Sequence, residues 1–303
     1  MYSKNRNSSM CFVSVSIVLV LFFSMGFADY DADGVDLVGR NPYGYCPFAV
    51  ASGDFVYSAN GTVLEVLDIH TLEPVSEVVT ESIVSGLAVS GDFVYIANWS
   101  DGFRVVDVSD PTNPSMVAEL EFLGQCWDIS VTGDFAYVGN DDQGLRIIDI
   151  SNPLIPTLAS TFLSTPGVKF EHAQVIDTLA YAATQSGLFI LDVSDPAAPV
   201  QLGHSPAENG AWSVHVVDTI AYLPKLFEGI RMVNVADPTN PIELGYFQTP
   251  DAAYWMEVVD TIAYVAERFS GIQILDISDL TAPDSVGMLS MDYADALYIL
   301  GDS

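Results

Sequence analysis

Beyond an apolar stretch near the N-terminus, hydrophobic and polar positions follow the rhythm of short strands. Apolar residues alternate, as at Ile129 and Val131 or Val214 and Val216, and each run is bounded by Gly, Asp or Pro. Alternation of period two buries one face of a pleated strand. β-Branched and aromatic residues between turn formers strengthen that reading, and no convincing helical stretch follows the leader.

The strands recur in a fixed order. One landmark is a strand ending in Tyr: GDFVY at Tyr57 and Tyr95, GDFAY at Tyr137, DTLAY at Tyr181, DTIAY at Tyr222 and Tyr264, and ADALY at Tyr298. Successive tyrosines lie 38, 42, 44, 41, 42 and 34 residues apart. A second landmark follows the first six, as in FRVVDVSDPTNP and LRIIDISNPLIP; its acid is Asp68, Asp107, Asp149, Asp192 or Asp276, with Asn234 standing in once. Each repeat reads as four strands, with a tight Gly-Asp or Asp-Thr turn, a Gly-containing loop and a Ser-Asp-Pro-x-x-Pro turn between them. Four strands at a period of roughly 40–45 residues predict a propeller blade. A single small sheet cannot cover both its faces, whereas sheets stacked radially cover one another. The fold class expected is therefore all-β, a propeller of about seven four-stranded blades with the last incomplete. Val35–Arg40 resembles a fourth strand and is expected to close the ring with the final blade. Ending inside a repeat suggests a fragment, and a three-stranded final blade is the alternative.

The segments LRIIDI, FRVVDV, LFILDV and IQILDI resemble the core of the LVIVD repeat, which names a family of bacterial, mostly exported proteins. The resemblance runs from about Leu37 to Tyr298. It implies the propeller fold, export and a surface or binding role. Asn234 and the degenerate VLDIHTLEP of the first repeat depart from the pattern.

The N-terminus adds a destination. Lys4 and Arg6 precede an apolar run from about Cys11 to Met25, then Gly26-Phe27-Ala28. That order marks a secretory signal over residues 1–28, with an uncleaved anchor as the alternative. Residues 29–36 form a short acidic leader and 37–303 the propeller. The leader's alternating Asp29, Asp31 and Asp33 with Gly34 look like a calcium loop, but Arg40 stands where a bidentate Glu belongs. No cofactor is expected, calcium being the weakly supported exception. Cys46 and Cys126 occupy equivalent places in the first and third repeats, a whole repeat apart, so no bridge between them is expected.

Charge narrows the partners. With 9 Lys and Arg against 40 Asp and Glu the chain carries a net charge of −31, which repels nucleic acid and anionic lipid. Charged residues make up only 16% of a chain that is half hydrophobic, so this is a folded acidic surface and no disordered tail. No later segment is suited to span a membrane. The partner expected is an extracellular protein or glycan.

Residues that recur once per blade are spread round a ring and do not converge on one ligand. The repeated Asp residues are expected to cap their own turns and the tyrosines to pack between blades. Function is expected where the repeats differ, on the face shared by loops leading into first strands and loops joining second to third strands. Those loops supply Trp99, Asp101, Trp127, Asp141, Asp142, His172, Trp212, Phe227, Trp255 and Arg268 as the candidate ligand-binding face, with Glu171 and Tyr254 among their neighbours. No catalytic or metal-binding residues are assigned, since neither HExxH nor GxSxG occurs and the four His lack ligand spacing. The expected role is a non-catalytic binding or adhesion scaffold. Alternatives are a secreted hydrolase or lyase with its site at the channel mouth, and a purely structural module of a larger surface protein.

Overall fold

Each complete repeat folds into one antiparallel sheet whose four strands lie in chain order. The computed structural model describes residues 17–22, 35–41, 48–165, 167–208, 210–290, 294, 297 and 299–300. Six blades span 49–79, 86–120, 128–162, 170–206, 215–247 and 253–289. Neighbouring blades approach one another mainly through their first strands, which places those strands round the propeller axis.

The repeated tyrosines are the reason the blades stack. Tyr57, Tyr95, Tyr137, Tyr181, Tyr222 and Tyr264 are all buried, and the apolar core is divided into clusters lying between blades. Tyr137, Leu145 and Ile147 of the third blade, for example, pack with Phe170, Ala182 and Phe189 of the fourth. Each such side chain contributes about 1.5–3 kcal/mol when taken out of water, and the contribution is realised only when a neighbouring blade is present.

The repeated acids cap turns. Asp107 accepts the Ser109 N–H at 2.9 Å, Asp149 the Ser151 N–H at 2.9 Å and Asp192 the Ser194 N–H at 2.8 Å. Asn234 makes the same bond to the Ala236 N–H at 2.9 Å, which explains why the one departure from Asp is tolerated. A second Asx turn follows at the next acid, as where Asp110 takes the Thr112 N–H. Two outer-strand serines bind the next repeat's turn: Ser76 Oγ donates to the Pro111 carbonyl and Ser160 Oγ to that of Pro196.

The expectation of seven four-stranded blades is corrected to six among the described residues, with a further sheet of three strands. In that sheet Ile17–Phe22 runs parallel to Val35–Asn41 and antiparallel to Ile299–Leu300. The cause is strand supply: after Asp284–Leu289 the last repeat adds only the short strand Ile299–Leu300 to the described residues. Val35–Asn41 is a strand, as expected, but joins the sheet through Ile17–Phe22, a segment of the apolar run read as a leader. Cys126 is free and buried; Cys46 and most of the acidic leader lie outside the described residues. No helix among the described residues is long and apolar enough to cross a membrane.

Candidate functional site

Two structural positions decide what stands round the axis at the end where the first strands begin. One is the turn between second and third strands. In three blades the N–H of Asp101, Gln143 or Glu228 bonds the carbonyl of Asn98, Asn140 or Lys225. The next residue after that carbonyl, Trp99, Asp141 or Leu226, has a φ of 33, 46 or 42°. A left-handed non-glycine costs roughly 1–2 kcal/mol. Here the cost is offset by backbone pairing to the following blade, through Trp99 to Cys126, Asp141 to Phe170 and Leu226 to Ala253. The first turn residue is thus pinned toward the next blade, while the tip of the turn is left in solvent.

The other position is the start of the first strand. Gly86, Asp128, His172 and Trp255 occupy it, each opposite the end of its second strand. The residue must be small in the second blade, because a Cβ on Gly86 would lie 2.5 Å from Asp128 Oδ1 and 2.7 Å from Asp128 Cα.

These two positions hold Trp99 and Trp255, and the residues just ahead of two first strands add Trp127 and Trp212, the other two tryptophans of the chain. Trp127 meets Trp99 edge-on with ring centroids 4.5 Å apart and Trp212 at 5.3 Å, and Trp212 meets Tyr254 at 5.4 Å. On the other side Trp255 packs edge-on against His172 at 5.1 Å and Phe48 at 6.1 Å. Trp127, Trp212, Trp255 and Phe48 line a small cleft with room for only one or two water molecules, about 30 Å³. Asp128, Glu171, His172 and Ser213 complete its lining.

The polar lining is partly spent on joining blades. His172 Nδ1 accepts the Val214 N–H at 3.2 Å, which leaves the neutral ring's proton on Nε2. Nε2 stands 3.6 Å from Asp128 Oδ2, while Asp128 Oδ1 accepts the Ile129 N–H at 2.7 Å. Burial, reinforced by His215, pulls the His172 imidazole down to about 3, and burial holds the Asp128 carboxyl well above the usual carboxylate range. His172 is therefore neutral near pH 7, burial favours the neutral form of Asp128 as well, and at 3.6 Å their contact is longer than a good hydrogen bond. Below them, Gln174 Oε1 takes the Val216 N–H at 2.6 Å. Trp255 Nε1 donates to Glu257 at 3.2 Å, and His215 Nδ1 lies 3.7 Å from Glu257 Oε2.

Two polar atoms of the lining are not spent. Glu171 is 4% exposed, and its Oε2, like the Trp127 Nε1, has no hydrogen-bond partner among the described residues. Burial, with Asp141 adding and Lys169 opposing, pushes the Glu171 carboxyl up to about 7. Leaving a buried polar atom unpaired costs about 1–3 kcal/mol, more where it is charged.

Of the residues expected on this face, Trp99, Trp127, His172, Trp212 and Trp255 converge. Arg268 stands at the rim, its Nη1 donating to the Tyr254 hydroxyl at 2.8 Å and its guanidinium 5.2 Å from that ring's centroid. Asp141 also stands at the rim, paired with Lys169 at 2.8 Å. Asp101, Asp142 and Phe227 do not line the cavity. Asp101 takes the Ser100 hydroxyl, Asp142 accepts from Gln143 Nε2, and Phe227 is 69% exposed. Sequence reasoning left Asp128, Ser213 and Phe48 unassigned; their only signal was their place at or just before the start of a first strand.

Six stacked four-stranded sheets round an axis, with a non-repeating mouth, define a β-propeller. The LVIVD repeat model matches residues 83–121, 123–164, 174–204 and 257–290, so the chain carries LVIVD repeats at these four places. Among solved structures it is similar to a computationally designed protein, Ika8, with 12% identity, TM-score 0.66 and coverage of 93% of this chain and 89% of that one. It is also similar to the Myceliophteria thermophila Cps50 (Swd1) β-propeller domain, with 14% identity, TM-score 0.70 and coverage of 82% and 87%. The Neurospora crassa Pan2 WD40 domain matches at 12% identity, TM-score 0.59 and 73% and 72% coverage. At such identities the likeness concerns the fold alone. No curated protein matches the chain.

Proposed function

We propose that the chain is an exported, non-catalytic binding scaffold that takes its ligand, a portion of an extracellular glycan or protein, at this channel mouth. One observation carries the reading: three of the chain's four tryptophans line a single cavity, with Trp99 packed edge-on against Trp127, and two of the lining residues keep a buried acceptor and a buried donor unpaired among the described residues. Aromatic walls with a few polar groups are the usual make-up of a ligand site. The basic start, apolar run and small residues of 1–28, and the company of LVIVD repeats, support export. Glycan and peptide arrays probed with the protein and with a Trp127→Ala/Trp212→Ala variant test the reading, folding being checked by circular dichroism. Binding confined to the wild type supports it; a folded wild type that binds nothing sinks it.

The contact of His172 with Asp128, beside a carboxyl that titrates near neutrality, favours a hydrolase or lyase as the second reading. Against it, His172 Nδ1 and Asp128 Oδ1 already hold backbone N–H groups. Turnover of a glycoside or uronide substrate abolished by Glu171→Gln would establish the enzyme instead.

A further inference from the structure

We propose that the rim of the mouth docks a partner protein, through a segment of that protein in which apolar side chains are flanked by Lys or Arg. The inference rests on the binding-scaffold reading and names the chemistry of the partner.

The turns between second and third strands differ at their tips. The residue just before the N–H that closes the turn is Ser100 in the second blade and Asp142 in the third, but Phe227 in the fifth and Phe269 in the sixth. These two rings belong to neighbouring blades and are 69% and 62% exposed. One connecting loop ties their turns together: Gln248 Nε2 donates to the Phe227 carbonyl at 2.9 Å, and the Phe269 N–H donates to Asp251 Oδ2 at 2.9 Å. At the same end of the ring, Leu123 and Leu163 are exposed in the loops leading into the third and fourth blades. A single exposed apolar side chain is ordinary, but four on the variable loops of one end mark an interaction surface. The cleft among the tryptophans has room for only one or two water molecules, about 30 Å³. What binds here therefore lies across the rim and does not enter the ring.

Charge selects the partner. The six Lys and Arg within 48–290 are all engaged. Lys169, Lys225 and Arg231 are in ion pairs, Arg104 donates to the Asp101 carbonyl, Arg146 to Asn140 and Arg268 to the Tyr254 hydroxyl. By contrast Glu81, Glu121 and Glu208, in the loops before the second, third and fifth blades, are exposed and make no ion pair among the described residues. The rim thus offers apolar tips beside unengaged negative charge, and its complement is apolar and cationic. The net charge of −31 repels a second copy of the chain and speeds the arrival of a basic partner.

Three synthetic peptides of equal length, one of Leu and Lys, one of Ser and Lys and one of Leu and Glu, are titrated into the full chain at about 0.15 M salt. The Leu–Lys peptide is expected to bind saturably, the Ser–Lys peptide about tenfold or more weakly, and the Leu–Glu peptide not at all. Phe227→Ser/Phe269→Ser should weaken Leu–Lys binding about tenfold or more. Leu154→Ser/Ile155→Ser, equally exposed but in a turn at the opposite end of the third blade, should leave it unchanged. Circular dichroism checks that both variants fold. Equal binding of the Ser–Lys peptide, which needs no variant, overturns the inference, as does a loss no greater in the Phe pair than in the Leu–Ile pair. Binding to phosphatidylcholine vesicles in place of the Leu–Lys peptide overturns it too, since the apolar tips would then be a lipid contact. If no peptide binds while glycan-array binding still depends on Trp127 and Trp212, the partner is wrong and the binding-site reading stands. If both are absent, both fall.

Discussion

At the turn that ends each third strand, Asp107 lies in solvent with its carboxylate on the Ser109 N–H, and bonding to Ser109 holds its pKa below the ordinary value. At the channel mouth, Glu171 lies almost out of reach of water with one oxygen unpaired, and burial holds its pKa up to about 7. Both are carboxylic acids with nearly the same ordinary pKa, and the fold shifts them in opposite directions. The turn acids recur in every four-stranded blade but the one where Asn234 stands in, and are satisfied locally, because each must serve only its own blade. The mouth acid occurs once, and its surroundings are assembled from several blades, so no local turn satisfies it. Repetition marks what the architecture needs, and unpaired singularity marks what the architecture has set aside for something else.

The comparison is sharpened by changes of decreasing size. Gly86→Val should be the most damaging, because backbone atoms of Asp128 and Ile129 lie within 3 Å of the position a Cβ would take. A loss of at least about 3 kcal/mol is expected in urea unfolding, at the upper end of overpacking costs. Trp127→Ala should leave the blades intact, since the ring is only half-buried. It should cost about 1–2 kcal/mol of stability through its two edge-on contacts, yet reduce ligand affinity more than tenfold in a binding titration. Asp107→Asn should be the mildest. Asn234 already shows that an amide keeps the turn bond, so ligand affinity should be unchanged and the melting midpoint nearly so.

The fold was legible because repetition averages out local ambiguity. A single GDFVY could end many kinds of strand, but seven such strands at near-constant spacing fix the sheet and its partners. What stayed hidden depends on the ring. Trp99 and Asp101 share one turn, yet only Trp99 occupies the left-handed place that is pinned to Cys126, while Asp101 lies beyond it. Asp128 could not be singled out from its neighbours, because its meeting with His172 spans 44 residues of chain and depends on two first strands lying side by side. The blade number was misjudged because, among the described residues, the last repeat contributes a single short strand, and its sheet partners come from the opposite end of the chain.

The contrast also has a sign in pH. The turn aspartates, with lowered pKa values, stabilise the fold above about pH 4 and lose that contribution as pH falls through their folded-state values. Glu171 acts oppositely. The unfolded chain releases its proton above about pH 4.3, the folded chain only near 7, so a penalty grows between those values and then holds constant. His172, depressed to about 3, adds a separate penalty as pH falls below about 6.5, and it is common to wild type and any Glu171 variant.

Urea unfolding of the wild type and Glu171→Gln at pH 8 and at pH 4.5 tests the central claim that the mouth holds a carboxylate the fold itself does not need. The account predicts that the variant is more stable by roughly 2–3 kcal/mol at pH 8 and equal to the wild type near pH 4.5. A variant no more stable than the wild type at pH 8 would contradict it, because the charge of Glu171 would then already be compensated within the propeller.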